Sequence, residues 1–233
     1  MKTLCAILLA ASICVLPSLR ADLTIVQKVE GMGQNMESTT KIKGGKTRVD
    51  AAPATSIIMD LKSGDMISLM PAEKKYMKIP SEMAQAAMAS MKKTQASPSG
   101  APPALTPTGK KDTINGYSAQ EYTYNTGGSK ISLWLTTALP NYQQALKEMS
   151  AAFNQGPMSA MIKDLGVDFS TLPGFPLRTV NELQAGEAVT STVVSVSTKP
   201  IPDSDFDVPA DYEEMKMPSL TPPAVDQAPA VSK

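Results

Sequence analysis

The chain has 233 residues, carries 22 Lys and Arg against 22 Asp and Glu, and contains no histidine. Its two cysteines, Cys5 and Cys14, both fall in an apolar N-terminal run. Beyond that run there is neither Cys nor His, which excludes the usual nucleophile–base pairs, the zinc and haem ligand sets and any disulfide framework.

Met1-Lys2-Thr3 is a positively charged start, and Leu4 to Leu16 has about the length of a signal h-region, too short to span a bilayer. Pro17 breaks the run, and Ala21 offers a small residue before Asp22, so cleavage is expected after Ala21 with residues 1–21 as signal peptide. A lipoprotein alternative at Cys14 would need small residues just ahead of it, and Ser12-Ile13 stand there. Without Lys2 and Arg20 the balance becomes 20 against 22, and Arg48 and Arg178 are the remaining arginines. That argues against a nucleic-acid partner, which wants a clustered basic face. No later apolar run reaches membrane-span length, so the expectation is an exported, soluble protein of the periplasm or exterior with no integral membrane segment.

Strand patterning begins at once. Leu23, Ile25 and Val29 alternate with polar residues, Gly31-Met32-Gly33 turns, and Met36 to Ile42 alternates again. Gly44-Gly45 predicts a tight hairpin, because primed turns need positive φ at both central residues. Lys46–Ala51, Ile57-Met59-Leu61, Met66-Ser68-Met70 and Tyr76–Ile79 follow as strands. From Ser81 the period becomes helical, with Ala84, Met88 and Met91 recurring over 81–94. Residues 95–107, rich in Pro, Ser, Ala and Gly, read as a flexible internal linker. Strands resume at Lys110, with Asn115-Gly116 as a hairpin turn and Gly127-Gly128 as the next. Ile131, Leu133 and Leu135 alternate with Trp134 and its polar neighbours. Pro140-Asn141 opens a helix with the stripe Tyr142, Leu146, Met149 and Phe153, and a second short helix carries Met158, Met161, Ile162 and Leu165. Leu177–Gln184 and Ala188–Thr198 are the last strands, and 217–233 is a Pro-rich tail expected to be disordered.

Sequential strands with tight turns pair as neighbours. The expected fold is therefore mainly β (α+β): a single strongly curved antiparallel sheet of about eleven strands, a half-barrel over residues 22–216. Helices inserted after the sixth and ninth strands would bury their stripes on its concave face. Two packed sheets with peripheral helices are the alternative.

Four stretches carry a family resemblance: Lys43-Gly44-Gly45-Lys46-Thr47-Arg48-Val49-Asp50, Thr113-Ile114-Asn115-Gly116-Tyr117, Ser132-Leu133-Trp134-Leu135 and Phe206-Asp207-Val208-Pro209-Ala210-Asp211-Tyr212. On these the chain resembles the bacterial family known as domain of unknown function 4412. Its element order also resembles the Lol-type periplasmic lipoprotein carriers, an open half-barrel plugged by helices. The resemblance implies compartment and fold and no established activity. The Pro-aromatic-Trp stretch that follows the early arginine of those carriers is missing, and Arg48 is the one residue carried over.

Fifteen methionines are the strongest compositional bias. Met59, Met66, Met70 and Met77 fall on adjacent strands, and Met88 and Met91 on the following helix. With Leu133, Leu135, Met149 and Met161 they are candidate linings of an adaptable apolar cavity, since Met is unbranched and polarizable. Arg48 is the rim candidate, with a cross-strand ion pair as its other reading. An ordinary core filled with Met is the plain alternative. Copper on the pairs Met158/Met161 and Met215/Met217 lacks histidine support and dense Met repeats. Asp203, Asp205, Asp207 and Glu214 have calcium-loop spacing, but Val208 stands where the loop needs glycine and Pro209 follows. No catalytic motif stands out, so the expectation is a non-catalytic protein without cofactor or metal. Its partner would be a lipid or an acylated protein, or it would be a structural or interaction module of the envelope.

Overall fold

Alternating apolar and polar residues can bury one side of a pleated strand, and tight turns hand each strand to its neighbour. In the computed structural model, which describes residues 22–51, 55–86, 104–126, 129–154, 169–183 and 186–216, the outcome is one twelve-stranded sheet. A first meander runs through β1 (Leu23–Gly31), β2 (Gln34–Lys43), β3 (Lys46–Ala51), β4 (Thr55–Asp60), β5 (Met66–Met70) and β6 (Lys75–Ile79). Residues 81–86 are helical (α1). A second meander runs through β7 (Thr106–Ile114), β8 (Tyr117–Thr126), β9 (Ser129–Thr136), β10 (Phe175–Glu182) and β11 (Ala188–Ser197), with helix α2 (Tyr142–Phe153) and a 3-10 turn (Phe169–Thr171) between β9 and β10. A second 3-10 turn (Asp203–Phe206) leads to β12 (Glu213–Glu214).

The order is β12-β6-β5-β4-β3-β2-β1-β11-β10-β9-β8-β7. Antiparallel pairing of β1 with β11 joins the two meanders, so β6 and β7, neighbours in sequence, stand far apart in the sheet. The glycine hairpins form as the sequence predicts: Gly44 and Gly45 have φ 59° and 89°, Asn115 and Gly116 have 48° and 83°. Only residues tolerant of positive φ fit there, and such turns twist with the strands they join.

The sheet curls. The Asn115 side chain, in the β7–β8 turn, donates to the Val193 carbonyl on β11. Arg178 Nη1 on β10 reaches Asp112 Oδ2 on β7 at 2.9 Å. Three strand spacings in a flat sheet are about 14 Å, beyond what an ion pair bridges without curvature. Register shifts at Val26/Gln27, Pro176/Arg178 and Pro107/Lys111 mark bulges that bend strands. Inside the curl, Ala145, Leu146, Met149 and Ala152 of α2 join Leu23, Ile42 and Met59 of the first meander and Ile114, Ala119, Phe175 and Leu177 of the second in one core cluster. Burying a Leu or Met of that stripe contributes about 1.5–3 kcal/mol.

Three sequence expectations change. The sheet has twelve strands, and β12 pairs with β6 in parallel, so it is mixed at that edge. β12 is two glutamates with no alternation to detect, held by Glu213 N–H to Lys74 O (2.9 Å) and Met215 N–H to Tyr76 O (2.7 Å). Thr106 and Pro107, placed in the linker, already belong to β7. Trp134, set by alternation opposite the Ile131-Leu133-Leu135 face, packs against the main cluster, while those three form a separate cluster with Tyr122 and Tyr124. The bulge at Pro176/Arg178 sets Arg178 opposite Trp134, and a one-residue shift exchanges faces. The signal peptide, the Gly127-Gly128 turn, the second short helix with Met158 and Met161, Met88, Met91, residues 95–103 of the linker and the tail 217–233 lie outside the described residues.

Candidate functional site

The register sorts the first meander into two unlike faces. Residues opposed in an antiparallel pair share a face, and alternate residues along a strand share it too. Lys41 opposes Arg48, Arg48 opposes Ile58, Ile58 opposes Ile67, and Ile67 opposes Lys78. Extending the same rule places Lys28, Glu30, Glu37, Lys43, Lys46, Asp50 and Asp60 on this outer face. On the inner face, Leu23, Ile42, Thr47, Met59, Met66 and Ile79 form one row across six strands. Ile25, Thr40, Val49, Ile57, Ser68 and Met77 form the next row. Lys75, opposite Met70 at the sheet's margin, is the one charged residue of β1–β6 on that side.

The first inner row is mostly core: Leu23 is 0% and Ile42 4% exposed, and Met59 is 8%. Val49, Ile57, Ser68 and Met77 in the second row are half-buried, as are Met66 and Met70. The inner face therefore passes from closed core to a half-buried surface of aliphatic and thioether groups. Its far side, on β1, β2 and β11, is neutral and polar. There Gln27 Nε2 donates to Ser38 Oγ (3.3 Å) and Ser191 Oγ donates to Gln27 Oε1 (3.2 Å). A second depression of about 730 Å³ lies beside α2, lined by Tyr142, Leu146, Ser150, Asn154, Ser170 and Leu172 among others.

The structure brings Met59, Met66, Met70 and Met77 onto one face, and Met149 reaches the same core as Met59 and Met66. Leu133 and Leu135 sit apart in their own cluster. Met88, Met91 and Met161 lie outside the described residues. Arg48 projects from the opposite face to the methionines, where Nε meets Asp50 at 2.7 Å and Nη1 donates to the Asp205 carbonyl at 2.8 Å. The residue-level reading missed Gln27, Ser38 and Ser191, which come from three strands. Only the register between β1, β2 and β11 brings them together.

The outer face is closed by residues 199–214. Ile201 and Phe206 pack on Ile58 and Leu69, with Ile67, Tyr76, Val208 and Tyr212 around them. Lys41 meets Asp205 at 2.9 Å, Lys43 meets Asp203 at 2.9 Å, Lys74 meets Asp211 at 2.9 Å and Lys78 meets Glu214 at 2.8 Å. The hydrogen bond from Lys43 holds the Asp203 carboxyl below its ordinary range, Lys74 does so for Asp211, and Lys78 followed by Tyr76 for Glu214. Of the acidic residues spaced like a calcium loop, Asp203, Asp205 and Glu214 pair with lysines, and no group of three or more metal-ligating residues occurs among the described residues. On the second meander, burial pushes Glu121 up, but the Thr108 hydroxyl at 2.8 Å and Lys110 outweigh it and hold the carboxyl low. Burial alone pushes Tyr124 up to about 12. Neither group stands on the first meander's inner face. No described helix is long and apolar enough to cross a membrane.

The site is thus an open, curled sheet wrapped round its own helix, with one charged covered face and one nearly neutral, partly exposed face. The chain belongs to the DUF4412 family, a domain of unknown function, whose model matches residues 14–212. No curated protein matches the sequence. Among solved structures, PNGF-II is similar over 84% of this chain, at 15% identity and a TM-score of 0.38, and the chain spans 31% of PNGF-II. The MucA/MucB complex of Pseudomonas aeruginosa is similar over 82% of this chain and 56% of the matched one, at 10% identity and a TM-score of 0.43. A LolA-superfamily protein of Nitrosomonas europaea is similar over 80% of this chain and 89% of its own, at 10% identity and a TM-score of 0.30.

Proposed function

We propose that this is an exported, non-catalytic protein of the cell envelope that binds an apolar ligand, a lipid or the acyl group of a lipidated protein, in the inner trough of β3–β6. The observation that carries the reading is the single face shared by Met59, Met66, Met70 and Met77, with Met70 and Met77 half-buried beside Val49 and Ile57. Unbranched thioether chains adapt to varied apolar shapes, and each methylene buried there contributes about 0.8 kcal/mol. The proposed mechanism is reversible desolvation of the chain against this surface.

Native mass spectrometry of residues 22–233, isolated from the envelope without detergent, tests it. The expected result is a bound mass that organic extraction removes and that is identified as lipid. A bare polypeptide that takes up no added lipid overturns the reading. A second reading, an interaction module whose concavity is filled by itself, draws support from the dense packing of Ala145, Leu146, Met149 and Phe175, none above 7% exposed. It is the reading left standing by the bare-polypeptide result.

A further inference from the structure

Resting on the apolar-ligand reading, we infer that the trough takes an uncharged amphipathic lipid in one orientation: a neutral hydroxyl-, ester- or amide-bearing head at Gln27–Ser38–Ser191, and its chain running across the strands to Met70 and Met77. Three observations meet here. Among the described residues of β1–β6, every charged side chain but Lys75 is placed by the register on the outer face. At the β1–β2 end, away from Lys75, an ion brought to the inner face would lose water and gain no charged partner, which is costly. The backbone groups of these central strands are spent in the ladders, so side chains alone offer hydrogen bonds.

The side chains that bond to one another lie at one end, while Thr40 and Ser68 stand singly along the face and Lys75 at the far margin. Gln27, Ser38 and Ser191 form a short hydrogen-bonded chain with capacity to spare. The second Gln27 N–H, the Ser38 hydroxyl proton and the Ser191 lone pairs are uncommitted within it. Such a group can both donate and accept, which suits a glycerol hydroxyl, an ester or an amide. Toward the other margin the lining becomes Val49, Ile57, Met77 and Met70. From β1 to β5 there are four strand spacings, about 19 Å, room for a long acyl chain laid across the strands. Polarity is thus graded along the trough, and the gradient sets the direction of the ligand.

The test compares monoolein with oleate, which carries the same chain under a charged head at neutral pH, on wild type and on Gln27→Ala/Ser38→Ala. Wild type is expected to bind monoolein at least tenfold more tightly than oleate. The double variant, checked for an unchanged circular dichroism spectrum and Tm, should lose about tenfold for monoolein and keep its affinity for oleate. A monoolein analogue photoreactive at its chain end should cross-link to β5 and β6. Equal affinity for both probes, or cross-links to β1 and β2, overturns the inference and leaves the apolar-ligand reading in place. Failure of both probes to bind overturns the two together. If the first double variant unfolds, Gln27→Leu alone makes the same comparison by removing the head's hydrogen-bond partner, and it should lower monoolein affinity without lowering oleate affinity.

Discussion

The two faces of β1–β6 are built from the same strands and end differently. The outer face carries almost all the charge and is sealed by residues 199–214, with Phe206 5% and Ile201 5% exposed. The inner face carries almost none, and its core with α2 is closed round Leu23, Ile25, Ile42 and Met59, leaving Val49, Ile57, Met66 and Met77 half-buried. The charged face could be closed because Asp203, Asp205, Asp211 and Glu214 of the covering segment each meet a lysine that stays partly in water, which spares both ions the full cost of burial. The neutral face needs no such matching, so it can stay open to an apolar guest. A strand period of two is enough to segregate these roles.

The comparison breaks most sharply in the core. Phe175→Ala, at a site 1% exposed, should cost about 3–5 kcal/mol, read as a lowered urea midpoint for the whole domain. An unchanged midpoint would mean that the two meanders do not share one core. Phe206→Ala on the outer face should cost less, roughly 2–4 kcal/mol because its cluster is small and marginal. It should speed amide exchange in 201–215 ahead of β1 and β2. Simultaneous exchange of both regions would show that the covering segment is not a separate unit.

Met70→Glu should leave Tm nearly unchanged, since a half-buried edge position keeps its carboxylate in water, while lipid uptake is lost. Uptake equal to wild type in a folded variant would remove the trough from consideration. The pH dependence of the outer cover has a definite sign. Asp203, Asp211 and Glu214 are held low by their lysines, so their contribution is present above the ordinary carboxylate range and is lost as pH falls through the depressed values. Lys43, Lys74 and Lys78 are held high by the same partners, so theirs persists below the ordinary lysine value and is lost only as pH rises past the raised ones. Carboxyl chemical shifts of 203–214 against pH should therefore move before those reporting the core do. The smallest effect is expected from Lys41→Ala, about 0.2–1 kcal/mol for a partly exposed pair, reduced further in high salt.

Much of this was legible in the residues. Alternation located the strands, the Gly44-Gly45 and Asn115-Gly116 hairpins fixed two junctions, and the stripe at Tyr142, Leu146 and Met149 predicted a helix on the concave face. The methionines of β4–β6 were legible as residues of adjacent strands, and the register sets them on one face. The Arg48–Asp50 pair is local, two residues apart on one face of β3, but Arg48 was not legible as part of the outer cover, because the Asp205 carbonyl becomes its neighbour only when residues 199–214 fold back across β2–β6. Leu133 and Leu135 are buried as their alternation predicts, but they pack with Ile131, Tyr122 and Tyr124 in a cluster of their own, which no local pattern reveals.

The sequence by itself determined which residues alternate, where the chain turns tightly and that charge and apolar groups segregate, because these follow from local sterics and the two-residue pleat. Tertiary structure alone decided that β1 pairs with β11, that two glutamates become a parallel edge strand, and that Gln27, Ser38 and Ser191 meet at one end of a nearly neutral face. Those are contacts between residues more than ten positions apart, and their energy comes from closing the sheet round α2, which no local pattern encodes.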